Sequence, residues 1–214
     1  MSEKQQTVRA ATRVDAALLG EVLADAFSDD PVFRWLIPEA TRNRERRLRT
    51  FFNSMSRAYV RHGKPCYLAG DGSAAAMWAP PGKWGLPVSE MAIESIPQGA
   101  AFRSSVLRAL RLQLQIESLH PRKPRHWYLG YLGARQTHQG QGLGSQLLRE
   151  VLTTVDAEGL PAYLESSNER NLSLYERHGF KVVGELQALG RGPTIWRMWR
   201  DPAELGQGGD EIGR

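Results

Sequence analysis

Gly140, Gly142 and Gly144 alternate through the run Gln139-Gly140-Gln141-Gly142-Leu143-Gly144, and that spacing suits one kind of chemistry. A residue without a Cβ lets its backbone N–H approach a ligand closely. Before the run stands an apolar, aromatic-rich stretch, Trp127 to Leu132, and after it an amphipathic one, Leu147 to Glu158. Leu147, Leu148, Val151, Leu152 and Val155 fall on one helical face, and Gly159 and Pro161 end it. The expected order is strand, glycine turn, helix. The first four N–H groups of a helix have no internal acceptor, so the turn predicts an anion site, most naturally for phosphate.

Spacing narrows the ligand. A Walker loop needs a lysine after its last glycine, and this run has none. A dinucleotide fingerprint, G-x-G-x-x-G, would need glycine where Ser145 or Leu147 stands. The pattern present is Q-x-x-G-x-G, and its plain alternative is a β–α turn that binds nothing. Downstream, Glu165 closes the strand-like run Ala162-Tyr163-Leu164-Glu165. Beside a cleft its carboxylate could take up a proton, directly or through water; ahead of a helix start it is equally a surface residue favoured by the dipole. His138, flanking the turn, and His178, near a helix end, are weaker candidates for proton transfer.

The turn resembles the acetyl-CoA motif [RQ]-x-x-G-x-[GA] of the GCN5-related N-acetyltransferases (GNAT). The stretch from Asn168 to Phe180 resembles their second signature, N-x-x-x-x-x-x-Y-x-x-x-G-F, with Tyr175 and Gly179 in register. Thr7 to Arg13, His138 to Ser145, and Leu164-Glu165-Ser166-Ser167 continuing to Asn171 bring it nearest to the puromycin N-acetyltransferase-like members. Gln136 and Ala134 stand where such relatives often carry proline and valine. The resemblance implies an α/β fold: a central mixed, mostly antiparallel twisted sheet with helices on both faces. It implies that the amides of Gln139, Gly140, Gln141, Gly142, Leu143, Gly144 and Ser145 hold the pyrophosphate of acetyl-CoA, and that the backbone of Leu132, Gly133 and Ala134 pairs with pantetheine. Asn168 and Asn171 become candidates for polar contacts to pantetheine, with helix capping as the other role for Asn168. Tyr175 would face the sulfur. A phenol, with a reference pKa of about 10, is protonated at neutral pH and can donate to a forming thiolate; the alternative is a ring packed under Gly179-Phe180.

The rest of the chain fits a soluble enzyme. Of 214 residues 41% are hydrophobic and 24% charged, the usual globular balance. No apolar run approaches a membrane span, and the polar start, Met1 to Gln6, has no signal core. The lone Cys66 fits a reducing cytoplasm. The net charge of +5 suits an anionic cofactor as well as nucleic acid, and the arginines lack the interleaved aromatics of a single-strand groove. One acetyltransferase domain is expected over residues 1–202, with a helical elaboration at 87–124 broken at Pro97-Gln98-Gly99, and a disordered tail at 203–214. Strands are expected at Val8–Ala10, Cys66–Ala69, Ala74–Ala79, Trp127–Arg135, Phe180–Leu189 and Thr194–Trp199, and helices after Thr12 and over Arg42–Arg61. Val106, Leu107, Leu110 and Leu114 read as a packing face or a wall of the acceptor pocket. The activity expected is acetyl-CoA-dependent N-acetylation of a primary amine on a small molecule, antibiotic-like or aminonucleoside, using Tyr175 and Glu165. Alternatives are a protein N-terminal or lysine acetyltransferase and a non-catalytic CoA-binding module. No metal, nucleic acid or membrane is expected as a partner, and a homodimer is left open.

Overall fold

The computed structural model describes residues 7–85 and 96–203. Seven strands form one sheet: β1 (Val8–Ala10), β2 (Cys66–Ala69), β3 (Ala74–Ala79), β4 (Trp127–Ala134), β5 (Ala162–Ser166), β6 (Lys181–Gln187) and β7 (Thr194–Arg200), in the order β1-β2-β3-β4-β5-β7-β6. Only β4 and β5 run parallel; the other five pairings are antiparallel. The labelled helices are α1 (Ala16–Ala26), α2 (Pro31–Leu36), α3 (Arg44–Arg61), α4 (Val106–Leu119), α5 (Leu143–Ala157) and α6 (Leu172–Arg177). Leu19, Val22 and Leu23 of α1 and Phe51, Phe52 and Met55 of α3 pack with Leu68, Ala75 and Met77 on one face of the sheet. Leu147, Leu148, Val151 and Val155 of α5 pack with Ala76, Trp78, Leu129 and Leu164 on the other. This is the mixed, mostly antiparallel sheet covered by helices on both faces that the resemblance implied.

Two irregularities in β4 shape the centre. Tyr131 pairs with Met77 but Leu129 pairs with Trp78, so Gly130 is an extra residue on β4. Such a bulge reverses the alternation of side chains past it. Trp127, Leu129 and Leu132 therefore all reach the α5 side, while Tyr131 joins the α1–α3 side. A Cβ on Gly130 would collide with the Tyr59 hydroxyl. The parallel pairing then stops at Leu129 and Leu164. Beyond it β4 continues along β3 to Ala134, and β5 along β7 to Ser166. The two strands part at their carboxyl ends, where open parallel sheets bind ligands.

Several expectations shift. α1 ends at Ala26, but Asp30 then caps the short α2, accepting from Val32 N and Phe33 N ahead of Pro31 at the first helical position. α3 starts at Arg44 rather than Arg42, β4 ends at Ala134, β6 is Lys181–Gln187 and β7 reaches Arg200. Pro97-Gln98-Gly99 lies inside a helical piece over 96–102, and the break comes at Arg103, whose φ is +46°. That break re-aims α4, and its expected packing face turns outward: Val106, Leu107, Leu110 and Leu114 are 38, 64, 51 and 54% exposed. Leu112 is buried instead, with Ala109 and Ile116 beside it against the core. Residues 87–95 of the expected elaboration and 204–214 of the expected tail lie outside the described residues.

Candidate active site

The glycine turn forms at the open end of β4. Gln136–His138 make one 3-10 turn, Gly140 and Gly142 take φ of +77° and +79°, and α5 begins at Leu143. A Cβ on Gly140 or Gly142 would meet no atom within 4 Å, so left-handed backbone is what glycine supplies there. Gly144 is glycine for another reason: its Cβ would stand 3.2 Å from the Leu174 side chain of α6. Gln139, Gly140, Gln141 and Gly142 are exposed, Gly144 and Ser145 half-buried, and Leu143 alone turns into the core. The departure at Gln136 carries structure of its own. Its N–H donates to Asp25 Oδ2 at 2.8 Å and its side chain donates to Asp29 Oδ2 at 3.0 Å, tying the turn to the segment after α1. A proline would lose both.

Leu132, Gly133 and Ala134 line the β4 edge beyond the last β5 pair. Glu165 is the first β5 residue past that pair and points to the α1–α3 side. Its side chain is 7% exposed; among the described residues no donor meets full hydrogen-bond geometry at either carboxylate oxygen, and the hydroxyls of Tyr128 and Tyr163 face it as donors. It is therefore not the surface glutamate of the alternative reading. Oε1 lies 3.7 Å from Nδ1 of His120, whose side chain is 1% exposed. The His120 ring stacks on Trp84 at 4.0 Å and meets Tyr128 and Tyr163 edge-on at 4.9 and 5.0 Å. Burial, then the nearby Glu165 charge, pushes the phenols of Tyr128, Tyr131 and Tyr163 up. Arg197 pairs with Glu165 across β5 and β7.

Tyr175 lies across the sheet, on the α5 side. It is 6% exposed, its ring packs on Phe180 with centroids 6.1 Å apart, and its carbonyl accepts from Phe180 N. Burial, then the nearby Asp30 carboxylate, raises its hydroxyl well above a free phenol. Asp30 itself, largely buried, accepts from Ser167 Oγ just past β5 and is raised by its burial. Asn168 caps the turn before α6, its Oδ1 accepting from Arg170 N at 3.1 Å; Asn171 is exposed. His138 is half-buried beside the turn. At the end of α6, burial and then Arg149, Arg177 and Arg200 lower the pKa of His178. Cys66 is buried and its thiol pushed up to about 12, so it is inert as a nucleophile.

The glycine turn follows the β4 edge left unpaired by β5 beyond Leu129, and Glu165 stands one residue past the last β4–β5 pair. An open cradle of left-handed glycines, a strand edge unpaired by β5 and a buried carboxylate are the groups that an elongated phosphate-bearing thioester and an amine would need. Sequence reasoning missed His120, His126, Tyr59, Tyr128 and Tyr163 around Glu165. Only one signal pointed to any of them: His120 and His126 bracket Pro121-Arg122-Lys123-Pro124 immediately before β4. Among the described residues no three His, Cys, Asp or Glu side chains group as a metal site requires, and no helix is long and apolar enough to cross a membrane.

Comparison with known proteins gives the chemistry a class. The acetyltransferase (GNAT) family model matches residues 107–180. An uncharacterized N-acetyltransferase of Schizosaccharomyces pombe is 29% identical over 185 residues, covering 80% of this chain and 74% of that protein. An L-methionine sulfoximine/L-methionine sulfone acetyltransferase of Pseudomonas aeruginosa is 34% identical over 65 residues, 29% of this chain and 38% of its own. A Corynebacterium glutamicum structure, described as histone acetyltransferase HPA2 and related acetyltransferase, superposes with a TM-score of 0.66 at 25% identity, covering 93% of this chain and 97% of that one. These matches support the GNAT family, and the chain is an acyltransferase. They do not distinguish the puromycin N-acetyltransferase-like members from the rest.

Proposed function

We propose that this acyltransferase moves an acetyl group from acetyl-CoA to a primary amine on a small molecule, with antibiotic-like and aminonucleoside amines, puromycin among them, as the first acceptors to try. The observation that carries the reading is Glu165. Burying a carboxylate costs several kcal/mol, and this one, faced by the Tyr128 and Tyr163 hydroxyls and by His120, stands where β4 and β5 part, a placement that suits a base. Acetyl-CoA supplies the activated acyl thioester. The amides from Gln139 to Ser145 bind the pyrophosphate, and Leu132, Gly133 and Ala134 offer backbone groups to pantetheine, one N–H facing the oxygen that takes up charge. Asn168 and Asn171 flank the pantetheine path. Glu165 takes the amine proton. Tyr175 keeps its hydroxyl proton and donates it toward the departing thiolate; a raised pKa also makes it a weaker acid, so its contribution falls toward the lower end of the ~10²–10⁴-fold typical of such groups. Small-molecule acceptors named for the Pseudomonas relative support the acceptor class.

A CoA-release screen over small primary amines and lysine peptides tests this. Turnover with a small amine is expected, and Glu165→Gln should lower it by about 10²–10⁴-fold at neutral pH, with partial recovery at higher pH as free amine accumulates. Turnover with peptides alone would move the acceptor to protein amines. An unchanged pH–rate profile in Glu165→Gln would remove the base.

A further inference from the structure

We infer that Glu165 and His120 act as one base: the proton taken up at Glu165 passes to Nδ1 of His120, and His126 holds His120 in the tautomer whose Nδ1 is free to receive it. This rests on the proposed role of Glu165.

The tautomers follow from the hydrogen bonds. His126 Nδ1 lies 2.9 Å from the Pro124 carbonyl, which can only accept, so Nδ1 carries hydrogen. Burial, and after it the neighbouring His120, disfavours the charged form of His126. A neutral ring with hydrogen on Nδ1 has a bare Nε2. That Nε2 lies 3.1 Å from His120 Nε2, which must then donate. Neutral His120 is left with a lone pair on Nδ1, facing Glu165 Oε1 at 3.7 Å. The gap is longer than a hydrogen bond, as two acceptors require. One proton placed between them converts the contact into a carboxylate–imidazolium pair.

The balance is simple. An N–H bond of the amine breaks, its electron pair stays on the nucleophilic nitrogen, and the proton bonds to a Glu165 oxygen. It then leaves that oxygen for His120 Nδ1. Between turnovers the imidazolium returns it to solvent. The gain is in basicity, since imidazole holds a proton with a reference pKa of about 6.5 against about 4.3 for a glutamate carboxyl. A proton parked on His120 is better matched to neutral pH than one left on Glu165. Other groups facing the pair are Tyr128 and Tyr131 on β4, Tyr163 on β5, Arg197 on β7 and Tyr59 on α3, with Lys64 over the Tyr59 ring. The burial-raised tyrosines stay neutral near pH 7. His120 and His126 are thus the groups in this cluster that ordinarily titrate near neutrality.

The test needs no acceptor. Histidine nitrogen shifts are followed against pH in the wild-type chain and in Glu165→Gln. Neutral His126 is expected to carry hydrogen on Nδ1 and neutral His120 on Nε2. In Glu165→Gln the new amide can donate to the bare Nδ1, so the His120 nitrogen shifts should change while neutral His126 keeps hydrogen on Nδ1. Hydrogen on Nδ1 of neutral His120, or His120 nitrogen shifts unaffected by Glu165→Gln, would overturn the inference. With an acceptor in hand, His120→Gln should shift the acid limb of kcat/KM toward the carboxylate range and leave KM for acetyl-CoA unchanged. A wild-type chain that acetyl-CoA does not stabilise would instead sink the functional reading while leaving the histidine titration standing.

Discussion

The two sides of the cleft are built by different means. On the α5 side, the glycine turn, Asn168, Asn171 and Tyr175 come from one stretch between Gln139 and Tyr175, and much of their chemistry is backbone N–H held by left-handed glycines and a helix start. On the α1–α3 side, Tyr59, Trp84, His120 with His126, Tyr163 with Glu165, and Arg197 arrive from five stretches of the chain, and their chemistry depends on side chains removed from water. The first side is legible as a motif. The second exists only after folding, and its energetics come from burial.

The largest effect should come from breaking the backbone side. Gly142→Asp puts a side chain where φ is +79°, which glycine adopts most readily, and sets a carboxylate beside the proposed anion site. There is open space for the side chain, so the protein should fold and still lose all thermal stabilisation by acetyl-CoA, read as a melting shift. Gly144→Asp is a poorer probe because it also strikes Leu174. A folded Gly142→Asp that binds acetyl-CoA normally would dissociate the turn from the cofactor.

Tyr175→Phe comes next and separates acid from packing. The ring stays on Phe180 and only the hydroxyl goes. Turnover should drop by about 10²-fold, the lower end for a general acid, with KM for acetyl-CoA and the melting temperature nearly unchanged. A loss of stability together with activity would favour the packing role.

Alkali probes the sealed side. All six tyrosines have their phenols raised by burial, and four of them, Tyr59, Tyr128, Tyr131 and Tyr163, surround Glu165. A pKa raised on folding contributes stability that is complete below the unfolded value and lost as pH climbs through the interval above it. Stability should therefore hold to about pH 10 and then fall by up to ~1.4 kcal/mol per tyrosine for each further unit. Melting curves between pH 8 and 11, with phenolate absorbance followed in parallel, check this; phenolate that grows in a still-folded protein would show an open site.

Asn168→Ala should do least. Losing the cap to Arg170 N costs about 1 kcal/mol, a melting shift of about 2–4 °C for a chain of this size. An unchanged KM for acetyl-CoA would make Asn168 a cap alone, and a raised one would add a pantetheine contact.

The sequence by itself determined whatever depends on near neighbours along the chain. The α5 stripe follows from helical periodicity, the turn at Gly140 and Gly142 from the freedom of a residue without a Cβ, and the β2–β3 hairpin from apolar runs joined at Gly70-Asp71-Gly72. Tertiary structure decided the rest. α4 carries apolar residues at Leu110 and Leu114 and also at Leu112 and Ile116, and only the turn at Arg103 chooses which set meets the core. Gly130 reads as an ordinary strand residue until pairing with β3 makes it a bulge. Glu165 sat between two readings because a carboxylate's chemistry is set by solvent access and by what faces it. Both were fixed when β4 and β5 parted and distant segments delivered His120 and its aromatic neighbours, and neither desolvation nor such a meeting leaves a periodicity or a spacing behind.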